Sequence, residues 1–122
     1  MKLHASSPAG VNTITGYGDG YVLINGERRD SSVVVLPGRV VDWPAHSFDA
    51  LTPEHFAFLG QLDAEILLLG TGSKQRFPHP RLTAALTQAG IGIEVMDIQA
   101  ACRTYNILVA EERKVAAALL FE

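Results

Sequence analysis

The stretch "EILLLGTGSKQRFPHPRL", from Glu65 to Leu82, joins an apolar run to a glycine-containing loop and then to a basic segment with two prolines. The run Ile66–Leu69 is apolar without alternation, which is typical of a strand buried on both faces. Such strands occur in sheets that carry helices on both sides. The stretch therefore predicts an α/β protein and raises the question of whether its Gly-Thr-Gly loop binds a phosphate.

Two β-hairpins are predicted upstream of this stretch. Asn25 and Gly26 lie between two strand-like runs, and this pair favours a tight hairpin turn because both residues accept positive φ. In the second hairpin, Gly38 is expected in the left-handed second position of the turn. That hairpin pairs the runs Val33–Leu36 and Arg39–Asp42.

Three helices are predicted in the second half of the chain. Thr52 is a good N-cap, and Pro53 suits the first helical position. A second helix is expected to begin at Pro80 and to end before Gly90. A strand follows, and Asp97 at its end is expected to cap a third helix.

The C-terminal segment "KVAAALLFE" fits two structures. Helix propensity alone would continue the third helix, because neither Gly nor Pro interrupts it. An apolar run of this length fits a buried strand equally well. The fold class is mixed α/β: a single compact domain over residues 1–122, with β-hairpins and then β-α-β-α-β, and two to three helices on a mixed sheet. Residues 1–12 are expected to form a flexible tail.

Composition excludes several classes of protein. The chain has 122 residues, 48% of them hydrophobic and 19% charged, which predicts a globular domain. A formal net charge of -3 gives no reason to expect nucleic acid as a partner. The single Cys102 excludes an internal disulfide and fits a reducing compartment. The chain contains neither a membrane-spanning run nor a secretion or mitochondrial targeting pattern, so we expect a cytoplasmic protein.

The Gly-Thr-Gly loop has features of an anion site. Gly70, Thr71 and Gly72 follow the buried strand, where glycines let backbone N–H groups approach an anion closely. Lys74 and Arg76 add positive charge to the same loop. A crevice beyond the carboxyl ends of strands is the usual place for a ligand in an α/β sheet.

The same loop departs from both nucleotide-binding patterns. The dinucleotide pattern needs a third glycine, and Gln75 occupies that position. The Walker pattern needs Gly-Lys followed by Ser or Thr, which is absent here. Pro78 and Pro80 also keep the helix away from the glycines. A solvated turn is therefore the favoured interpretation, and a small anion or carboxylate in the crevice is the alternative.

Few other residues suggest chemistry. Cys102 falls on the apolar face of the third helix, which favours a core position over a nucleophile. The four histidines have no metal-ligand spacing, so neither a metal nor a cofactor is expected. Trp43 either caps the core or anchors a protein partner, and Phe77 and Arg81 are further candidates for partner contact.

The third helix carries two polar candidates beside Cys102. Asn106 is not favoured inside a helix, so its side chain either makes a specific hydrogen bond or is exposed. Thr104 precedes it by two residues. Both are candidate ligand-binding residues if the fold brings them close to the Gly70–Arg81 loop.

Four segments together resemble a known family: "LLLGTG", "GIGIEVMD", "AACRTYNIL" and "EERKVAAALL". The chain resembles a family of small domains of unknown function that includes a mitochondrial respiratory complex I assembly factor and the adipogenesis-associated domain protein. The resemblance runs from "ITGYGDGYVLING" to the end. Glu112 stands where the family often has Gly, so a tight turn is not expected there. Ile98 stands where it often has Thr.

The resemblance implies a mixed α/β fold in which the C-terminal segment forms a strand. It implies no reaction and no catalytic residue. It implies protein partners, which could include subunits of a membrane complex, and a role in assembly. Two hypotheses follow: an assembly-factor-like module that binds through Trp43 and the Gly70–Arg81 loop, and a protein that binds a small anion in the loop crevice.

Overall fold

A five-stranded mixed sheet forms the centre of the computed structural model, which describes residues 10–121. Its strands are β4 Val33–Leu36, β5 Arg39–Asp42, β6 Ile66–Thr71, β7 Ile93–Met96 and β8 Val115–Leu120. They lie in the order β5-β4-β8-β6-β7. β6 is parallel to both β7 and β8, whereas β4 is antiparallel to β5 and β8. The predicted mixed α/β fold is confirmed.

A smaller antiparallel sheet contains β1 Ile14–Gly18, β2 Tyr21–Ile24 and β3 Glu27–Arg29. Asn25 and Gly26 connect β2 to β3 with φ values of 52° and 82°. Both residues are left-handed, as the Asn-Gly pair predicts for a tight hairpin.

Within residues 10–121, three α-helices accompany the sheets: α1 Pro53–Gly60, α2 Ala84–Gln88 and α3 Ile98–Ala110. The Thr52 hydroxyl accepts a hydrogen bond from His55 N–H, and His55 Nδ1 accepts one from Thr52 N–H, which closes a capping box. Asp97 Oδ1 accepts from Ala100 N–H at 2.9 Å. The predicted N-caps of α1 and α3 are confirmed.

Two local predictions are wrong. α2 begins at Ala84, not at Pro80, because the chain from Pro80 first makes turns in which Thr83 N–H donates to Pro80 O at 3.2 Å. Gly38 lies in the predicted turn between β4 and β5, but its φ is not left-handed. That turn therefore does not require glycine for its backbone conformation.

The central sheet has two buried faces that carry alternate residues of its strands. One face includes Val35, Leu68 and Ala117, and these residues pack with α3 and the small sheet. The other includes Leu69 and Ala118, which pack with residues of α1 and α2. The protein therefore has three layers, and apolar runs without alternation form its inner strands as predicted.

The C-terminal segment is a strand. All six residues of β8 are buried between β4 and β6, so the helical alternative is wrong. α3 is ended by Glu112, which adopts φ 61° while its N–H donates to Val109 O at 2.9 Å. The tight turn forms without glycine, contrary to the expectation from Glu112.

The predicted N-terminal tail is only partly described, because residues 1–9 lie outside the described residues. Asn12, at the end of the predicted range, takes part in a 2.7 Å hydrogen bond from Asn25 Nδ2 to its Oδ1 and in three further hydrogen bonds of 2.9 Å. Its N–H donates to Pro37 O, its Nδ2 donates to Leu36 O, and its carbonyl accepts from Tyr105 Oη. No helix within residues 10–121 is both long and apolar enough to cross a bilayer.

Candidate functional site

Gly70 lies where β6 and α3 approach each other closely. A Cβ atom on Gly70 would lie 3.0 Å from Ala101 Cβ, 3.1 Å from Leu119 Cδ2 and 3.3 Å from Ile98 Cα. These contacts are tighter than most Cβ atoms make, so a side chain at residue 70 would force its neighbours to shift. The first glycine of the loop therefore permits helix–strand packing.

Thr71 and Gly72 organise the loop that follows β6. The Thr71 side chain is buried, and its hydroxyl donates to Lys74 O at 2.6 Å and accepts from Arg76 N–H at 3.0 Å. Gly72 has φ 82°, and its carbonyl accepts from Ile98 N–H at 2.8 Å. The hydroxyl also lies 3.3 Å from Met96 O of β7, so it is used by the loop and by the neighbouring strand.

The basic side chains of the loop lie on its outer side. Arg76 Nη2 is 2.9 Å from Asp49 Oδ1, and the guanidinium carbon is 4.2 Å from the centre of the Phe48 ring. Gln75 Nε2 donates to Val95 O at 2.9 Å on the edge strand β7. Lys74 is exposed. Arg76 thus fastens the loop to the segment before α1.

Asn106 makes the specific hydrogen bonds that its position in a helix suggests. It is buried in α3, where Oδ1 accepts from Ile14 N–H at 2.9 Å and Nδ2 donates to Ile14 O at 2.8 Å. Thr104, its neighbour on the same helix, is half-buried. Both polar atoms of the Asn106 amide are therefore hydrogen-bonded to the backbone of β1.

A cavity of about 370 Å³ lies at the carboxyl end of β6. Gly72 and Ser73 of the loop line it, together with Ile98 and Gln99 at the start of α3. The remaining lining residues are Phe121 and residues 17–20, at the end of β1 and in the turn that follows it, which include Asp19. Of the seven candidate ligand residues, only Gly72 lines this cavity; Gly70, Thr71, Lys74, Arg76, Thr104 and Asn106 do not.

The three candidates for partner contact differ in exposure. Trp43 is only 3% exposed, and its Nε1 donates to His55 O at 3.3 Å while its ring meets Phe56 edge-on. Trp43 therefore caps the core. Phe77 is 71% exposed, and Arg81 is exposed beyond it.

Ile107 is a second exposed apolar side chain, at 58%. It was not among the sequence candidates. The helical spacing that assigns Cys102, Tyr105 and Val109 to the buried face of α3 leaves Ile107 off that face. The same spacing could therefore have identified it.

Cys102 and Tyr105 are fully buried in the core between α3 and the sheet. Burial raises the pKa of the Cys102 thiol to about 12, and nearby Arg103 opposes this only in part. Burial also raises the pKa of Tyr105. The thiol therefore stays protonated at neutral pH, which does not suit a nucleophile.

Within residues 10–121, no three His, Cys, Asp or Glu side chains lie close enough together to hold a metal ion. His4 lies outside the described residues. His55, the histidine beside Trp43, serves the capping box of α1.

The sequence of the chain matches a known protein family. Residues 14–120 match the family described as "Protein of unknown function (DUF498/DUF598)". A mouse protein named NADH dehydrogenase [ubiquinone] 1 alpha subcomplex assembly factor 3 is 38% identical over 109 residues, which are 88% of this chain and 59% of that protein. The chain thus spans less than two thirds of the length of this relative.

Solved bacterial structures have the same fold. A crystal structure of a Bordetella parapertussis protein superposes with a TM-score of 0.87 at 42% identity and covers 94% of this chain and 100% of that chain. A solution structure from Bordetella pertussis, described as a Mth938-like domain, gives 0.80 at 36% identity and covers 99% and 92%. The fold is therefore shared along nearly the whole length of both chains.

Proposed function

Because the chain belongs to this family of proteins of unknown function, we propose that it is a non-enzymatic binding module that assists the assembly of a protein complex. Relatives named as NADH dehydrogenase assembly factors support this role. The chain spans 59% of their length, so the proposal concerns the shared domain. Its candidate partners are subunits of that membrane complex, and its proposed location is the cytoplasm.

The exposure of Phe77 carries the proposal. Phe77 is 71% exposed, and it shares this property with only Ile107 among the large apolar side chains of residues 10–121. An exposed aromatic side chain is in contact with water in the free protein, and its burial in an interface would stabilise the complex. Aromatic residues accordingly dominate the energetics of many protein–protein contacts.

The loop around Phe77 is held in place on both sides. Before it, Thr71 bonds to the backbone of Lys74 and Arg76, and Gln75 bonds to β7. After it, Leu82 N–H donates to His79 O at 2.9 Å. Pro78 and Pro80 further restrict the backbone. A restricted loop loses little entropy on binding, which favours affinity.

Two arginines flank Phe77 and extend the candidate surface. Arg76 is fixed by Asp49 and by the ring of Phe48, whereas Arg81 is exposed. Arginine beside an exposed aromatic side chain is a common composition for an interface centre. Phe77, Arg76 and Arg81 form the proposed binding surface, and Trp43, which is buried in the core, is not part of it.

The test compares Phe77→Ser with Ile107→Ser. Both variants remove an exposed apolar side chain, so both should fold with nearly unchanged stability. Cells that lack the chain would be complemented with the wild type or with each variant, and assembled NADH dehydrogenase would be measured on native gels. We expect assembly with the wild type and with Ile107→Ser, and a loss of assembly with Phe77→Ser.

Direct binding completes the test. NADH dehydrogenase subunits from the same cells should be retained by the immobilised wild type and by Ile107→Ser, but not by Phe77→Ser. Equal retention by both variants would reject Phe77 as the contact. Normal complex assembly in the absence of the chain would reject the assembly role itself.

A second candidate function is binding of a small anion in the crevice beside Gly72. The 370 Å³ cavity between the loop and the start of α3 favours it, whereas the Asp19 carboxylate in the lining opposes it. Titration of the labelled protein with inorganic phosphate and acetate would test it. Saturable amide shifts at Gly72, Ser73 and Gln99 would support anion binding, and unchanged spectra at millimolar anion would reject it.

A further inference from the structure

A larger cavity, of about 560 Å³, opens at the amino ends of β6 and β8, at the opposite end of these strands from the Gly-Thr-Gly loop. Its floor is apolar and includes the buried side chains of Leu36, Leu62, Val109 and Val115. Sites for small molecules typically have volumes of about 300–1,000 Å³ and mostly apolar walls. The cavity has the size and lining of such a site.

The rim of this cavity carries more positive than negative charge. Arg39, Arg113 and Lys114 line it, as do Asp63 and Glu112. Lys114 Nζ lies 3.9 Å from Asp63 Oδ2, so these two charges offset each other. Within the described part of the chain, no carboxylate forms an ion pair with Arg39 or Arg113. Two guanidinium groups therefore remain against the single carboxylate of Glu112.

The backbone at the rim is unusual. Asp63 and Glu112 have φ values of 56° and 61°, and they are two of the three non-glycine residues with left-handed backbone in residues 10–121. Such conformations are unfavourable for residues with a side chain, and they concentrate at binding sites. At the rim, Asp63 and Glu112 therefore adopt a backbone conformation that residues with a side chain do not favour.

We propose that this cavity binds a small amphipathic anion, namely an unbranched carboxylate with an aliphatic tail. The tail would lie against the apolar floor and be removed from water there. The carboxylate would lie at the rim, where Arg39 and Arg113 supply the planar donors that suit it. This site is separate from the surface around Phe77 and does not depend on the proposed assembly role.

Ligand selectivity tests the proposal with the wild-type protein. The labelled chain would be titrated with decanoate, decanol and decyltrimethylammonium, each below the concentration at which it forms micelles. We expect saturable amide shifts at Ala64, Val109 and Val115 with decanoate, and affinity about fivefold or more above that for the cation. Equal affinity for all three ligands, or no shift with decanoate, would overturn the proposal.

Charge variants test the rim itself. Arg39→Ala and Arg113→Ala should each weaken decanoate binding about two- to fivefold, the range expected for exposed ion pairs. Glu112→Gln should strengthen it about twofold, because a repulsive carboxylate is removed. Arg103→Ala, an exposed arginine of α3 that does not line the cavity, is the matched control. An equal loss with Arg103→Ala, or weaker binding by Glu112→Gln, would contradict a carboxylate at this rim.

Discussion

The side-chain amide of Asn106 spans both backbone polar groups of Ile14, across 92 residues of sequence. It accepts from the Ile14 N–H at 2.9 Å and donates to the Ile14 carbonyl at 2.8 Å. One helical side chain thereby attaches the first strand of the small sheet to α3. Both backbone groups would lack partners without it, because the contact is buried.

Asn106→Ala is therefore expected to lower the free energy of unfolding by about 2–4 kcal/mol, since two buried backbone groups lose their hydrogen bonds. Urea unfolding monitored by circular dichroism would measure the change. Thr104→Ala, two residues away and half-buried, is the control and should change stability by less than about 1 kcal/mol. Similar stability of Asn106→Ala and the wild type would show that these two hydrogen bonds do not stabilise the fold.

Gly70→Ala should destabilise the protein by about 1–3 kcal/mol, because the added methyl group would press on Ala101 and on the Ile98 backbone. Gly92→Ala is the matched control, since a Cβ there meets no atom within 4 Å. In an Ala101→Gly background the cost of Gly70→Ala should fall, and thermal unfolding of all four variants would reveal this coupling. An equal loss of stability in Gly70→Ala and Gly92→Ala would show that the close approach of β6 and α3 does not explain the glycine at residue 70.

Glu112→Gly should raise the free energy of unfolding by about 1 kcal/mol, because glycine relieves the left-handed strain at φ 61°. The adjacent Glu111 has φ -87°, so Glu111→Gly relieves no strain and should lower stability by up to about 1 kcal/mol. Chemical denaturation would measure the free energy of unfolding of both variants, which should change in opposite directions at these neighbouring positions. Destabilisation of both to the same extent would contradict the account of this turn.

Stability should fall in alkaline solution through Cys102. Burial raises the thiol pKa from 9.0 to about 12 in the folded protein. Above about pH 9 the unfolded chain releases the thiol proton while the folded chain keeps it, so the free energy of unfolding decreases as pH rises. Below about pH 9 the thiol is protonated in both states, and its contribution to the free energy of unfolding is fully present.

Unfolding of the wild type and of Cys102→Ala at about pH 8 and about pH 10 would measure this effect. The variant should lose less stability between the two pH values, because it lacks the titrating thiol. Tyr105, whose pKa is also raised by burial, should leave a residual loss in both proteins. An identical decrease in both proteins would exclude Cys102 as a contributor.

Local sequence signals predict the elements well because their causes are local. The Asn25-Gly26 turn, the Thr52 and Asp97 caps and the buried run at β6 each depend on residues adjacent in sequence. Pro80 misleads because a proline suits the first position of a helix and the start of a turn equally well. Local propensity also fails at β8, where burial between two strands overrides helix preference.

Candidate-site residues are harder to predict because their roles depend on distant partners. The glycines after β6 fit an anion loop by pattern, but the contact that requires Gly70 comes from α3, about thirty residues later. Asn106 is recognisable as an unusual helix residue, but nothing nearby in sequence identifies Ile14 as its partner. The rim of the larger cavity collects Arg39, Asp63 and Arg113 from three separate parts of the chain, and no motif joins them.

The position of β8 has a consequence for how the chain folds during its synthesis. Among the strands of the central sheet this one is synthesised last, and it lies between β4 and β6 in the finished sheet. Until it emerges, the β4–β5 hairpin and the β6–β7 pair have no common neighbour, and each presents an open edge to other molecules. Completion of the central sheet must therefore wait for synthesis of β8, and a nascent chain that stalls before Val115 is exposed to misassociation.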